Sequence, residues 1–240
     1  MATRRWQRPS WFAIALALIG IALFLRLGIW QLDRAREAQS LLDAFAAAAS
    51  APLEELAPVG AAPPDARYPH VRVRGRFIAD GGYLRDEQLR NGQPGVEAYA
   101  AFAVAGAESL LVDRGWIAWS RAAGSQPALP ALPQGEVELR GIYAPYPGSG
   151  VRVGEGLAAQ AAWPKLTLAI DRDEIAADLK RPLLPRVLLL DPDPASGFAR
   201  VWTPNLMPPA RHEAYAFQWF AFAVAAVVIF VLLHWKKVEI

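Results

Sequence analysis

Apolar residues crowd the two ends of the chain, and between them apolar and polar residues alternate. The first run, "WFAIALALIGIALFLRLGIWQL", starts at Trp11 and carries no charge from residue 11 to residue 25. Arg26 interrupts it, and apolar residues resume up to Leu32. About 20 apolar residues cross a bilayer core. The run therefore predicts a transmembrane helix over 11–32, with Arg26 near one surface and its side chain reaching outward. The second run, Ala214–Leu233, holds twenty residues without a formal charge and predicts a span over 211–233. No small-residue cleavage site follows the first run, because Phe24, Leu25 and Arg26 occupy that place. It reads as an uncleaved anchor rather than a signal peptide.

The middle of the chain carries a different period. Asp33–Ser50 favours helix, Pro52 ends it, and residues 51–69 are a Pro- and Ala-rich connector. "HVRVRGRFIA" alternates Val71 and Val73 with Arg72 and Arg74, the period of a strand. "GYLRDEQL", "GVEAYAAFAV", "ESLLVDRGWIAW", "GEVELRGIYAP", "WPKLTLAI" and "PRVLLLDP" read as further strands, with turns at "NGQPG" and near Gly106. "DRDEIAADLK" has an acidic start and a cationic end, which suits a short helix. The expected fold is an α+β membrane protein. Two transmembrane helices flank a mainly antiparallel β domain over 33–210, with short tails at 1–10 and 234–240.

Charge sets the orientation. Arg4, Arg5 and Arg8 precede the first span, and Lys236 and Lys237 follow the second. Positive charge marks the cytoplasmic side, so both termini are expected inside and the middle domain outside. For a Gram-negative inner membrane that space is the periplasm. Trp6, Trp11 and Trp235 suit the inner interface, and Trp30, Tyr215 and Trp219 the outer one. Ala13, Ala17 and Gly20 form one small-residue stripe, and Ala216, Ala223 and Ala226 another, where the helices are expected to approach.

The formal net charge of +2, with no basic block in the middle, does not suit a nucleic-acid surface. The absence of cysteine excludes disulfides, thiolate metal sites and cysteine catalysis. No enzyme motif stands out. The glycine-rich "PGSGVRVGEG" lacks the strand and helix of a phosphate loop. Asp171, Asp173 and Glu174 read as helix capping, Asp191 and Asp193 as turn residues, and His70 as a solvated surface residue. The expectation is a protein without catalytic activity. The remaining candidate is His212, at the outer threshold of the second span, with Tyr215 and Trp219 at i+3 and i+7 on one helical face.

Three stretches resemble the surfeit locus protein 1 family of cytochrome c oxidase assembly factors. "LGIWQLDRA" is similar to that family's first-span signature through Gly28, Trp30, Gln31 and Arg34. "LLVDRGWI" is similar to its V-N-R-G-W-V strand through Arg114, Gly115 and Trp116, with Asp113 where asparagine is usual. "RHEAYAFQWFAFA" is similar to the opening of its second span through His212, Tyr215, Gln218, Trp219 and Phe220. The chain departs from the family at Glu37, where a lysine is common, and in the proline region of "NLMPPARH". The resemblance implies an inner-membrane factor that binds haem a and helps place it in oxidase subunit I, alongside other assembly factors and membrane lipid. On that reading His212 is the axial ligand to the haem iron, Tyr215 and Trp219 offer the apolar face, and Arg26, Arg34 and Arg211 draw the propionates. Two alternatives are a structural chaperone that never binds haem and a membrane-anchored periplasmic enzyme.

Overall fold

The computed structural model describes residues 3–56, 68–147, 156–202, 204 and 206–238. Most of the connector expected over 51–69 and of the glycine-rich stretch after Pro147 lies outside the described residues. The chain divides into two compact units, one of residues 1–41 with 206–240 and one of residues 42–205.

The first unit is built on two helices, α1 (Trp11–Ala48) and α3 (Pro209–His234). Both are long and apolar enough to cross a membrane. The anchor and the short helix expected after it are one helix of 38 residues. At 1.5 Å per residue it is about 57 Å long, well beyond a bilayer core. Nothing breaks it at Leu32, since no proline or glycine follows until Pro52. Ion pairs one turn apart, Asp33–Arg36 at 2.7 Å and Arg34–Glu37 at 2.5 Å, suit its polar continuation.

Within this unit the two helices approach closely at Gly28. A Cβ there would fall 2.5 Å from the Phe220 ring, whereas one at Gly20 would meet nothing within 4 Å. The close approach expected at Gly20 thus occurs two turns further along. On α3, Ala216 and Ala223 are buried as expected. Short strands β1 (Thr3–Trp6) and β9 (Trp235–Val238) pair antiparallel, with Trp6 opposite Trp235. The two ends of the chain therefore meet at one end of the helix pair, as two antiparallel spans require.

The second unit is a small barrel. Its strands are β2 (Glu54–Glu55), β3 (His70–Arg90), β4 (Gln93–Val104), β5 (Ser109–Ala118), β6 (Val137–Ala144), β7 (Lys165–Thr167) and β8 (Leu183–Leu190), with helix α2 (Arg172–Leu179) before the last. The order β3-β4-β5-β8-β6 closes because β6 also pairs with β3. All these pairings are antiparallel except β5 with β8. The two strands expected over 70–90 are a single strand. Its start, His70–Gly75, pairs with β6, and the stretch from Gly75 to Arg90 pairs with β4, with register shifts near Phe77 and Arg85. A strand that long closes a barrel only by bending, and such shifts supply the bend. The β3–β4 hairpin turns on Asn91 and Gly92, both at positive φ (49° and 77°), the conformation a two-residue hairpin demands.

Alternation along the strands fills the interior. Val71, Val73, Phe102, Leu110, Val112 and Leu188 form one cluster, and Tyr83, Tyr99, Leu111, Ile175 and Val187 another. Asp171 caps α2 by accepting from the backbone N–H of Asp173 and Glu174 at 3.0 Å, so the acidic cluster does serve as a cap. Lys165 donates to Asp178 at 2.5 Å, and the Tyr83 hydroxyl donates to the same carboxylate at 2.9 Å. Both members of that ion pair are buried, and the pair ties β7 to α2 beneath the barrel wall. The alternation pattern gave no sign of it.

His70 corrects a further expectation. It is buried rather than solvated: Nε2 lies 2.9 Å from both carboxylate oxygens of Asp191, and Nδ1 lies 3.2 Å from the Ala51 carbonyl. It clamps the start of β3 to the residue that follows β8. It begins a strand whose first residues pair with β6, and only 11% of its side chain stays exposed.

Candidate functional site

Proline sets up the His212 site. Pro209 opens α3 at a position where its missing N–H costs nothing, and His212 follows within the first turn. Its Nδ1 lies 2.8 Å from Oε1 of Gln31 on α1. Seven residues along each helix, the Phe24 and Trp219 rings stack with centroids 6.0 Å apart and planes 24° from parallel. A seven-residue step returns a helix almost to the same side, so both contacts lie on one seam. The Gly28–Phe220 approach lies on the same seam. Phe222 adds an edge-on contact to Trp219 at 5.8 Å.

The expected recognition face divides here. His212 and Trp219 turn toward α1, whereas Tyr215 is 41% exposed. Gln218, Trp30, Arg26, Arg34 and Arg211 also lie outward, and Arg34 is engaged with Glu37. His212 remains half-buried, and its Nε2 has no hydrogen-bond partner among the described residues. Sequence reasoning singled out Gln31 as a motif residue but assigned it no partner. The available signal was its place one residue from Trp30, at the C-terminal end of the first apolar run.

The second motif stretch is built differently. Ala98 stands opposite Gly115 and Tyr99 opposite Asp113, so Arg114 is the extra residue of a bulge in β5. Gly115 takes φ 121°, and a Cβ there would fall 2.8 Å from Phe198 Cβ and 3.1 Å from the Ala199 carbonyl. Only glycine suits that backbone and that proximity. The segment beyond it is held by a two-way backbone bond: Trp116 N–H donates to Ala199 at 3.0 Å and Ala199 N–H to Trp116 at 2.8 Å.

Strict strand alternation would put Arg114 and Trp116 on one face, as a cation–π or packing pair, but the bulge breaks that alternation and their cation–π contacts are with other residues. The Arg114 guanidinium lies 4.7 Å above the Phe198 ring and donates to the Pro130 carbonyl at 2.7 Å. Burial, with Arg200 close by, lowers its pKa to about 10. Trp116 donates its indole N–H to the Gln88 carbonyl at 3.0 Å and lies under Arg90 at 5.7 Å.

Beside this bulge the barrel buries two carboxyl groups. Asp113 accepts from the Gly115 N–H at 3.1 Å, and burial followed by the charge of Glu97 raises it well above the ordinary carboxylate range. Burial likewise raises Glu97 to about 7, against the opposing pull of Arg90 and Arg85. Glu97 Oε1 and Arg85 Nε are buried without hydrogen-bond partners. Tyr99, opposite Asp113, is raised by burial and by both carboxyl groups.

Two apolar helices joined through a closed, mixed β barrel define an α+β membrane protein with two spans and an intervening domain. Residues 18–224 match the SURF1 family, most of the chain, and the protein belongs to that family. It is 27% identical over 232 residues to a SURF1-like protein of Mycobacterium bovis and to SURF1-like proteins of two Mycobacterium tuberculosis strains. The match covers 92% of this chain and 82% of each relative. The family is one of oxidase assembly factors.

Proposed function

We propose that this chain is an inner-membrane assembly factor for haem-copper cytochrome oxidase that holds haem a through His212 and aids its insertion into subunit I. The observation that carries this reading is the environment of His212. A half-buried imidazole stands at the end of an apolar helix seam, with one ring nitrogen engaged and the other without a partner among the described residues. Neutral imidazole is a common axial haem ligand, and bound haem would supply a porphyrin iron that takes it. Tyr215 offers exposed aromatic surface one turn along, and Trp219 stiffens the seam below it. Arg26, Arg34 and Arg211 are exposed cations on the same two helices, suited to propionates. No step of covalent chemistry is required of the protein. Its partners on this reading are oxidase subunit I, other assembly factors and membrane lipid.

The test is haem per protein in variants purified from cells that make haem a. His212→Ala keeps normal abundance and loses most of the haem, because one axial nitrogen is removed while the apolar surroundings stay. His234→Ala, at the opposite end of α3, and His70→Ala, in the barrel, retain it. Full haem content with an unchanged visible spectrum in His212→Ala refutes the ligand role. A specific observation favours the second reading, a chaperone that never binds haem: Gly28, Trp219 and Phe220 are all used in helix packing. That reading predicts haem-free wild-type protein.

The orientation follows from charge. Both termini are cytoplasmic and the barrel is periplasmic, since arginines precede the first span and lysines follow the second. Reporter fusions after Gln39 and near Gly135 are active outside the membrane, and one after Ile240 inside. A cytoplasmic signal at Gly135 rules out this topology.

A further inference from the structure

We infer that Gln31 is a positioning residue that holds His212 in the Nδ1–H tautomer and so presents a bare Nε2 to a ligand. The inference rests on the proposed haem reading for the identity of the ligand, but not for the state of the imidazole. Neutral imidazole carries one proton, and its tautomer is set by what each nitrogen faces. Gln31 Oε1 lies 2.8 Å from Nδ1, and a carbonyl oxygen only accepts, so Nδ1 is the donor. The lone pair is then on Nε2, which has no hydrogen-bond partner among the described residues. Metal-binding histidines usually donate their second ring N–H to such an acceptor, which fixes the ring and raises its basicity.

The pairing joins residues from two spans, 181 positions apart in the chain. Each side chain is held by its own helix. Phe24–Trp219 stacking and the Gly28–Phe220 contact fix the rotation of the helices about the seam. The ring plane is thereby set by helix packing before any ligand arrives. His234 provides an internal reference, because its Nδ1 lies 2.7 Å from the Phe230 backbone carbonyl, which also only accepts. A carbonyl within its own helix suffices for His234, whereas His212 takes its acceptor from the other span.

The experiment is nitrogen-resolved NMR of the full chain in detergent, labelled at histidine and recorded above the ordinary imidazole range, with His212→Ala for assignment. Wild-type protein shows Nδ1–H and bare Nε2 at His212, as at His234. In Gln31→Leu the His212 signal moves toward the Nε2–H form while His234 is unchanged. In Gln31→Glu the wild-type tautomer is kept. An Nε2–H imidazole in the wild type, or an unchanged tautomer in Gln31→Leu, overturns the inference.

Haem measurements on the same variants separate the two claims. Gln31→Leu weakens haem binding about 10–100-fold, as loss of such a supporting partner does elsewhere. Gln31→Glu restores it and lowers the reduction potential of the bound haem, since an anionic acceptor makes the imidazole a stronger donor. Loss of haem in His212→Ala with wild-type affinity in Gln31→Leu overturns the role of Gln31 alone. Full haem in both variants overturns the haem reading itself.

Discussion

Replacing Trp116 by alanine destabilises the barrel by about 3–5 kcal/mol, the range for truncating a buried aromatic side chain. The indole is 8% exposed and fills space that Gly95 leaves open: a Cβ at Gly95 would fall 2.4 Å from the ring. The side chain therefore packs directly on β4 backbone. Truncation opens a cavity that rigid strands cannot close, and it strips the Gln88 carbonyl of its 3.0 Å donor. Trp116→Phe keeps part of the packing, leaves a smaller void and loses that hydrogen bond, at a smaller cost of about 1–3 kcal/mol. Chemical denaturation of the purified chain measures both. Wild-type stability in Trp116→Ala together with lost oxidase assembly would show that the ring serves a partner instead of the barrel.

Raising the pH through neutrality weakens the barrel, and the carboxyl pair beside the bulge is the reason. The folded pKa of Glu97, about 7, stands above its ordinary value of 4.5. A group raised on folding binds its proton more tightly in the native state. Its stabilisation is complete below 4.5 and is lost as pH rises through about 7. Asp113 shifts in the same direction and for the same first cause, burial, so it reinforces the trend. Arg85 and Arg90 temper the effect on Glu97, and Tyr99 stays neutral throughout. The shift of Glu97 alone corresponds to a loss on the order of 3 kcal/mol. In Asp113→Asn one of the two carboxyl groups raised by burial is gone, and the melting temperature varies less with pH. Asparagine is also the residue that the related motif carries. A wild-type melting temperature that is flat between pH 5 and 8 contradicts this account.

Much of the architecture was legible because its determinants are local. Two long apolar runs, the first broken only by Arg26, specify spanning helices in any environment that hides backbone from water. Alternation at Val71 to Arg74, the Asn91–Gly92 pair and the capping Asp171 specify a strand, a hairpin and a helix start within a few residues of chain. The site was legible only as a set of motif residues. His212 stood out because a histidine at the edge of an apolar run is unusual.

What tertiary structure decided depends on residues far apart in the chain. Closure of the barrel through the long β3, and the parallel pairing of β5 with β8, follow from which strand edges meet, which periodicity does not encode. The bulge at Arg114 sent that side chain to Phe198 and left Trp116 to Arg90. Asp191, 121 positions away, turned a histidine expected in solvent into a buried clamp. Rotation of two helices about Gly28 decided that His212 and Trp219 face α1 while Tyr215 does not. Sequence by itself determined the two apolar helices, the strand-rich middle and the identity of the polar residues at the helix ends that adjoin it. Packing alone decided which of those residues meet, because a side chain's partner is set by helix rotation and strand register, and both are settled only when the apolar surfaces close.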